Sequence, residues 1–282
     1  MGQQIDFLLQ SAELSIVEFD IHIRTEMKTF NRRLSCYVMS YIKKGEAKLR
    51  VGKDEYMLLP GTVVIIPPYI EHDHYKETEE ETIFLWCHFT YEIGNALDVL
   101  KIFNLPITFK LTNSEEFEKV FLEYKNISFT EDFLIKTILK KAKSHEILYL
   151  LLKSIMNSHE ESFERNHSQG FISILTQIVT NPEKELSLQE LSNQFHLHPT
   201  YISNRFKELF GKSPMHVQRE MKIDRARKLL ISTEMSITEI AHAVGYPAIP
   251  GFTRLFKNYV GISPTQFRNL NKKWSDSPPV NI

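Results

Sequence analysis

Through residues 1 to about 92, aromatic and β-branched residues alternate with polar ones, the two-residue period of half-buried strands. Turn signals interrupt at Lys44-Gly45, Val51-Gly52-Lys53-Asp54 and Pro60-Gly61. Gly45 to Val51 followed by Glu55 to Leu59 predicts a hairpin. The apolar run Thr62 to Ile66, closed by Pro67-Pro68, predicts a buried strand. Short strands at near-regular spacing predict a small barrel or jelly roll, placed at 1–112.

From residue 113 the period lengthens to that of a helix. Asn113-Ser114-Glu115-Glu116 is a polar cap followed by acidic first-turn residues, and Phe117, Val120, Phe121 and Tyr124 then fall on one face. A second helix is predicted from Phe133 to Met156, with Ile135, Ile138, Leu139, Ile147, Leu148, Leu151, Leu152 and Ile155 as its stripe. Packing against the barrel is the expected use of that stripe, with part of it a candidate dimer surface. The segment 113–157 is therefore read as a packing and dimerisation element. Residues 158–169 are polar and read as a linker, in which His159 and His167 are solvated. Residues 275–282 read as a frayed tail.

Residues 170–274 carry the strongest pattern, which occurs twice. Phe206-Lys207 followed by Gly211-x-Ser213-Pro214 recurs as Phe256-Lys257 followed by Gly261-x-Ser263-Pro264. Phe171, Ile174, Leu175 and Ile178 face one way on a helix that ends near Asn181-Pro182. Ser187 with Glu190 predicts a capping box, and Leu188, Leu191 and Phe195 face inward. After a turn at His196-Leu197-His198, Pro199 opens a helix that buries Ile202, Phe206 and Phe210 and stops at Gly211. A long helix from Pro214 to Ile231 follows, about 27 Å at the helical rise, comparable with the ~34 Å between successive major-groove faces on one side of DNA. Ser236 with Glu239 repeats the capping box, and Ile237, Ile240 and Val244 the buried face. Gly245 then opens the turn, while Phe252, Leu255 and Phe256 pack a last helix ended by Gly261.

Charge sharpens this picture. The net of −1 hides an acidic front (residues 1–168, 20 Lys and Arg against 26 Asp and Glu) and a basic third (169–274, 14 against 8). That asymmetry suits a DNA-binding module behind a sensing domain. Cys36 and Cys87 are too few for a disulfide framework and point to a reducing compartment. The N-terminus has no basic stretch leading into an apolar run, and the densest apolar run, Ile147 to Leu152, is too short to span a bilayer. A cytoplasmic location without membrane contact is expected.

The residues from Phe171 to Arg268 resemble the DNA-binding domain of the AraC/XylS family of bacterial transcription regulators, with the order and spacing of both units matched. The family signature runs through Ile237 to Phe267, and Gly261-Ile262-Ser263-Pro264-Thr265-Gln266-Phe267-Arg268 is its most characteristic end. The resemblance implies that the second helix of each unit enters the major groove of double-stranded DNA. By position it implicates Thr200, Ser203 and Asn204 in the first unit, and Ile249, Pro250, Gly251, Thr253 and Arg254 in the second. Arg254 can pair with guanine and Asn204 with adenine, each worth about 1–3 kcal/mol of discrimination. Arg205, Lys207, Lys212, Lys257 and Asn258 are expected to hold phosphates, which fixes position without reading sequence. Two departures stand out. The family commonly has arginine where Asn204 stands, and polar residues where Ala248-Ile249-Pro250-Gly251 stand. Ile249 and Gly251 offer few hydrogen bonds, although Ile249 can touch a thymine methyl, so weaker reading by the second unit is expected.

Gly61-x5-Pro67-x-Tyr69-x2-His72 resembles the second motif of the cupin barrel, with Tyr69 where that motif usually has glycine. Members of the resembled family often carry such a barrel ahead of the same DNA-binding domain. The whole is thus expected to be an α+β multidomain chain. His72, His74 and His88 are available as ligands with Glu71 nearby, but the first cupin motif is missing from the Ser35 to Arg50 region, so no metal or other cofactor is expected. Tyr69, His72, Trp86 and His88 are the candidate effector-pocket residues. The leading expectation is an effector-responsive activator, not an enzyme, that acts as a homodimer, answers to a small molecule such as a sugar and contacts RNA polymerase. The alternatives are a metal-dependent cupin enzyme with an appended DNA-binding module, and a ligand-independent regulator controlled by a protein partner. A fused DNA-repair methyltransferase would need a reactive cysteine cluster, which Cys36 and Cys87 do not form.

Overall fold

A computed structural model describes residues 2–94, 96–103, 105–127, 132–158 and 169–275. The chain divides into two compact units. One comprises residues 13–91 and 103–166. The other comprises 1–12, 92–102 and 167–282. The predicted front domain of 1–112 therefore gives its first twelve residues and the segment 92–102 to the helical unit. Most of the predicted linker (159–168) and of the predicted tail (276–282) lies outside the described residues, as do His159 and His167.

The first unit is an antiparallel sandwich, the fold expected from the alternating pattern. The strands of the chain are β1 (Glu13–Arg24), β2 (Lys28–Arg32), β3 (Tyr37–Lys44), β4 (Ala47–Val51), β5 (Asp54–Leu58), β6 (Thr62–Ile66), β7 (His72–Tyr75), β8 (Thr82–Ile93), which runs two residues into the segment 92–102, β9 (Leu97–Asp98), which lies in that segment, and β10 (Thr108–Lys110). One sheet runs β1-β8-β3-β6-β10, with β9 on the end of β8, and the other runs β2-β7-β4-β5. The predicted hairpin is β4–β5, in register from Ala47 opposite Leu58 to Val51 opposite Asp54. The predicted buried strand is β6, all five residues of which are buried.

Period two along β3 and β8 separates two environments. Val38, Ser40 and Ile42 lie opposite His88, Trp86 and Phe84 and face the interior of the sandwich. The intervening Cys87 and Phe89 face outward, lining a crevice with Ile147, Leu148 and Leu151. The last three belong to α3 (Phe133–Ser158), which lies beside α2 (Ser114–Asn126). Asn113 caps α2 by accepting a hydrogen bond from the Glu116 N–H, and Tyr41 donates to Glu118 at 2.8 Å. The stripe on α3 divides in two. Ile147, Leu148, Leu151 and Ile155 are buried, whereas Ile135, Ile138 and Leu139 are exposed.

Residues 2–10 correct the strand reading of the N-terminus. Gly2–Gln10 is a helix, α1, packed on α4 (Gln169–Thr180) in the helical unit. Its nine residues bury only Leu8, too short a stripe to announce a helix on its own.

The helical unit continues with α5 (Leu188–Phe195), α6 (Pro199–Phe210), α7 (Pro214–Ser232), α8 (Ile237–Ala243), α9 (Ile249–Val260) and α10 (Pro264–Ser275). Both predicted capping boxes are formed, Ser187 with Glu190 and Ser236 with Glu239. Gly211 and Gly261 end α6 and α9 in the left-handed conformation. The long helix α7 packs against α4, α6, α8, α9 and α10. It buries residues on several faces, among them Val217, Gln218, Met221, Ile223, Ala226 and Leu230, as a helix inside a bundle does. Gln218 satisfies its buried amide by donating to the Lys184 carbonyl at 2.6 Å.

Candidate nucleic-acid interface and sensor cavity

The second helix of each repeated unit, α6 or α9, is held by one apolar face and presents the other. In α6, Ile202, Phe206 and Phe210 are buried at a spacing of four. Pro199 occupies the first turn, and the His198 ring caps it by accepting from the Thr200 N–H at 3.3 Å. Thr200 and Asn204 are exposed on the opposite side and Ser203 is half-buried. Asn204 makes no side-chain hydrogen bond to another described residue. Tyr201 was not singled out by the sequence reading; it is exposed on the same helix, with its ring 6.2 Å from that of Phe171. An aromatic between two polar positions was the signal for it.

In α9, Phe252 and Phe256 enter a core with Ile223, Ala226, Leu230, Ile240, Ala241 and Val244. Ala248 gives no side-chain cap, and Pro250 lies in the first turn. Ile249, Pro250 and Arg254 are exposed, while Gly251 and Thr253 are half-buried. Among the described residues Arg254 has no ion-pair partner. Of the five phosphate candidates, Lys207, Lys257 and Asn258 are exposed without a partner among the described residues. Arg205 pairs with Glu208 at 2.7 Å. Lys212 donates to the Glu220 carboxylate at 2.7 Å and to the Ala96 carbonyl at 3.0 Å. Its ammonium is thus already bound, which the sequence did not reveal.

Within the sandwich lies a cavity of about 450 Å³. Trp86 and His88, two of the candidate effector-pocket residues, line it. Two other predicted pocket residues do not. Tyr69 is 64% exposed, in a turn where its φ is 66°. His72 is buried behind the lining, with its Nδ1 2.9 Å from the Ile70 carbonyl and its ring 5.6 Å from that of His74, which does line the cavity. Of the two histidines on β7, the cupin-like spacing singled out the one that does not line the cavity.

Burial lowers the pKa of all three histidines, His74 to about 3. For His74 and His88 the positive charge of Arg32 adds to that effect. The His88 ring, 4% exposed, bridges two charges. Its Nδ1 is 3.2 Å from Glu18 and its Nε2 3.2 Å from Arg32 Nη2. A guanidinium only donates and a carboxylate only accepts, so the neutral ring carries its proton on Nδ1. Among the described residues no group of three or more His, Cys, Asp and Glu is placed to hold a metal ion, and no helix is long and apolar enough to cross a membrane.

Residues 191–270 match the family described as a helix-turn-helix domain, and residues 24–132 match the AraC-like ligand binding domain. The chain is similar to the Msm operon regulatory protein of Streptococcus mutans, 21% identical over 236 residues, covering 82% of this chain and 84% of that protein. It is similar to the HTH-type transcriptional regulator YfiF of Bacillus subtilis, 24% identical, covering 91% of this chain and 85% of that one. It is also similar to the melibiose operon regulatory protein of Escherichia coli, 28% identical over 125 residues, covering 44% of this chain and 41% of that protein.

Proposed function

This chain belongs to the AraC/XylS family of DNA-binding transcription regulators, and we propose that it reads two neighbouring major-groove segments with α6 and α9 under the control of a small molecule held in the sandwich. The observation that carries the reading is the pairing of two capped, glycine-terminated helix-turn-helix units, each with a polar exposed face opposite a buried phenylalanine pair. Thr200, Ser203 and Asn204 read bases in the first unit. Arg254 and Thr253 carry most of the reading in the second, where Ile249 and Gly251 supply shape and apolar contact only. Lys207, Lys257, Asn258 and Arg205 hold phosphates, and the commitment of Lys212 to Glu220 removes it from that set.

The cavity is of a size that suits an effector. The exposed apolar start of α3 suits a homodimer contact, and effector-dependent change in DNA occupancy or in contact with RNA polymerase then sets transcription. We assign the chain no catalytic step and place it in the cytoplasm. The E. coli relative is named for a melibiose operon, which favours a sugar or sugar derivative as the signal here.

Footprinting of the purified full-length protein on the promoter DNA flanking its own gene, across salt concentration and with competitor DNA, tests the reading. Protection of two adjacent major-groove faces per protomer is expected. Binding that is indifferent to sequence with and without candidate effectors overturns it.

A further inference from the structure

Arg32 reaches the cavity because β2 is bulged. Thr29 lies opposite His74 and Arg32 opposite His72, with the register broken between them. Asn31 takes a positive φ of 51° there. Its N–H donates to Asp73 Oδ1 at 2.7 Å, and Asp73 is itself paired with Arg50. The bulge re-aims the next side chain. Thr29 and Arg32, three apart, therefore both line the cavity, which simple alternation forbids.

Once there, the Arg32 guanidinium is under-used. It has five N–H donors, and its one polar side-chain contact among the described residues is to the neutral His88 ring. No described carboxylate lies within ion-pair distance of it. Glu18 is held on the far nitrogen of His88. Arg24 and Lys28 add positive charge to the lining, where Glu26 is the single acid. Around this charge the walls are apolar: Val38, Ile42 and Phe84, with the Trp86 ring between those of His22 and His88 at centroid distances of 5.2 and 4.8 Å, tilted to each by 55° and 51°.

We propose that the cavity binds a small organic oxyanion, a carboxylate or a phosphate ester, with its charged head on the Arg32 fork and its body against Trp86. This rests on the cavity being the effector site and goes beyond it by fixing the charge of the effector. Two acceptor oxygens in one plane match the guanidinium fork, and such charge-assisted pairs are short and strong. A neutral ligand would leave the donors of a half-buried cation unmatched, which is costly.

The test compares matched neutral and anionic probes on the full-length protein by calorimetry and by Trp86 fluorescence in a Trp274→Phe background. The pairs are glucose with glucose 6-phosphate, benzyl alcohol with benzoate, and octanol with octanoate. The expected result is that an anion binds and its neutral partner does not, and that Arg32→Gln weakens the anion by roughly tenfold or more. Arg32→Lys, which keeps the charge and loses the fork, should recover part of the loss, a response that a merely misfolded variant would not give. The phosphate and carboxylate pairs separate the two sources of the oxyanion. A neutral probe that binds as tightly as its anion, or an Arg32→Gln protein with unchanged affinity, overturns the oxyanion while the effector site stands. If no probe binds at millimolar concentration the oxyanion is overturned. If in addition Trp86→Ala leaves the footprint unchanged under all growth extracts tested, the effector site falls with it.

Discussion

The carbonyl oxygen of Glu183 occupies the space that a side chain on Gly245 would need. Gly245 also takes a φ of 79°, in the turn between α8 and α9. Gly261, after α9, has a similar φ of 86° with nothing near its missing Cβ. The two glycines therefore separate a backbone requirement from a steric one.

Gly261→Ala should cost only the left-handed backbone penalty, about 1–2 kcal/mol. Gly245→Ala should cost that and the displacement of a main-chain carbonyl, and should also loosen the placement of α9. Urea midpoints of the two variants check this. Equal losses would mean that the Glu183 contact relaxes without cost.

The division of labour on DNA predicts two kinds of loss. Arg254→Ala and Asn204→Ala should each relax specificity at one position by about 1–3 kcal/mol, while leaving binding to random DNA nearly intact. Lys257→Ala and Lys207→Ala should weaken binding to every sequence and flatten its salt dependence by about one counterion each. Competition binding against operator variants over a salt series distinguishes them. A salt slope unchanged in both lysine variants would remove them from the phosphate set.

The sandwich should lose stability on mild acidification. His74 ordinarily titrates near 6.5, and burial pushes it down to about 3. Below pH 6.5 the unfolded chain takes up a proton that the folded chain refuses, so stability falls progressively as the pH drops from 6.5 toward 3. Burial shifts His72 and His88 downward as well, so they add to the loss below pH 6.5. Urea unfolding at pH 7.5 and pH 5.5 should show a lower midpoint at the acid value, with a smaller difference in His74→Gln. Identical midpoints would contradict the neutral, buried ring.

At the start of α3, Phe133 is 82% exposed and Ile138 58%, with Leu134, Ile135 and Leu139 beside them. Exposed apolar residues of this kind suit the proposed homodimer contact. Ile138→Asp should shift the protein from dimer to monomer in sedimentation without altering its far-UV circular dichroism. A wild-type protein that sediments as a monomer at micromolar concentration would rule out the dimer.

The helical unit was legible in the sequence because its signals are local. Ser187 and Ser236 each sit three residues before a glutamate, Pro199 opens a helix, and Gly211, Gly245 and Gly261 stand where a positive φ is needed. The strands of the sandwich were legible for the same reason, through alternation and turn residues. Their order was not, since pairing β3 with both β6 and β8 depends on contacts far apart in the chain. The cavity suffered most. Tyr69 and His72 were chosen by motif position, but Tyr69 is exposed in a left-handed turn and His72 is buried behind His74, with its Nδ1 on the Ile70 carbonyl. Arg32 was missed because the bulge at Asn31 breaks the alternation that would have identified it. The helix α1 was missed because its partner, α4, lies 160 residues further on in sequence, roughly the span from Leu8 to Phe171.

The burial of α7 on several faces has a consequence for how this protein can change over generations. Because one helix serves as wall for α4, α6, α8, α9 and α10, a substitution that retunes the seat of one reading head is felt by the other. The two heads cannot drift toward new operators independently through their shared interior. New specificity must instead arise on the outward residues of α6 and α9, which touch no core. The interior of the helical unit is then expected to be the slow-changing part of the molecule, and the faces presented to DNA the part free to diversify.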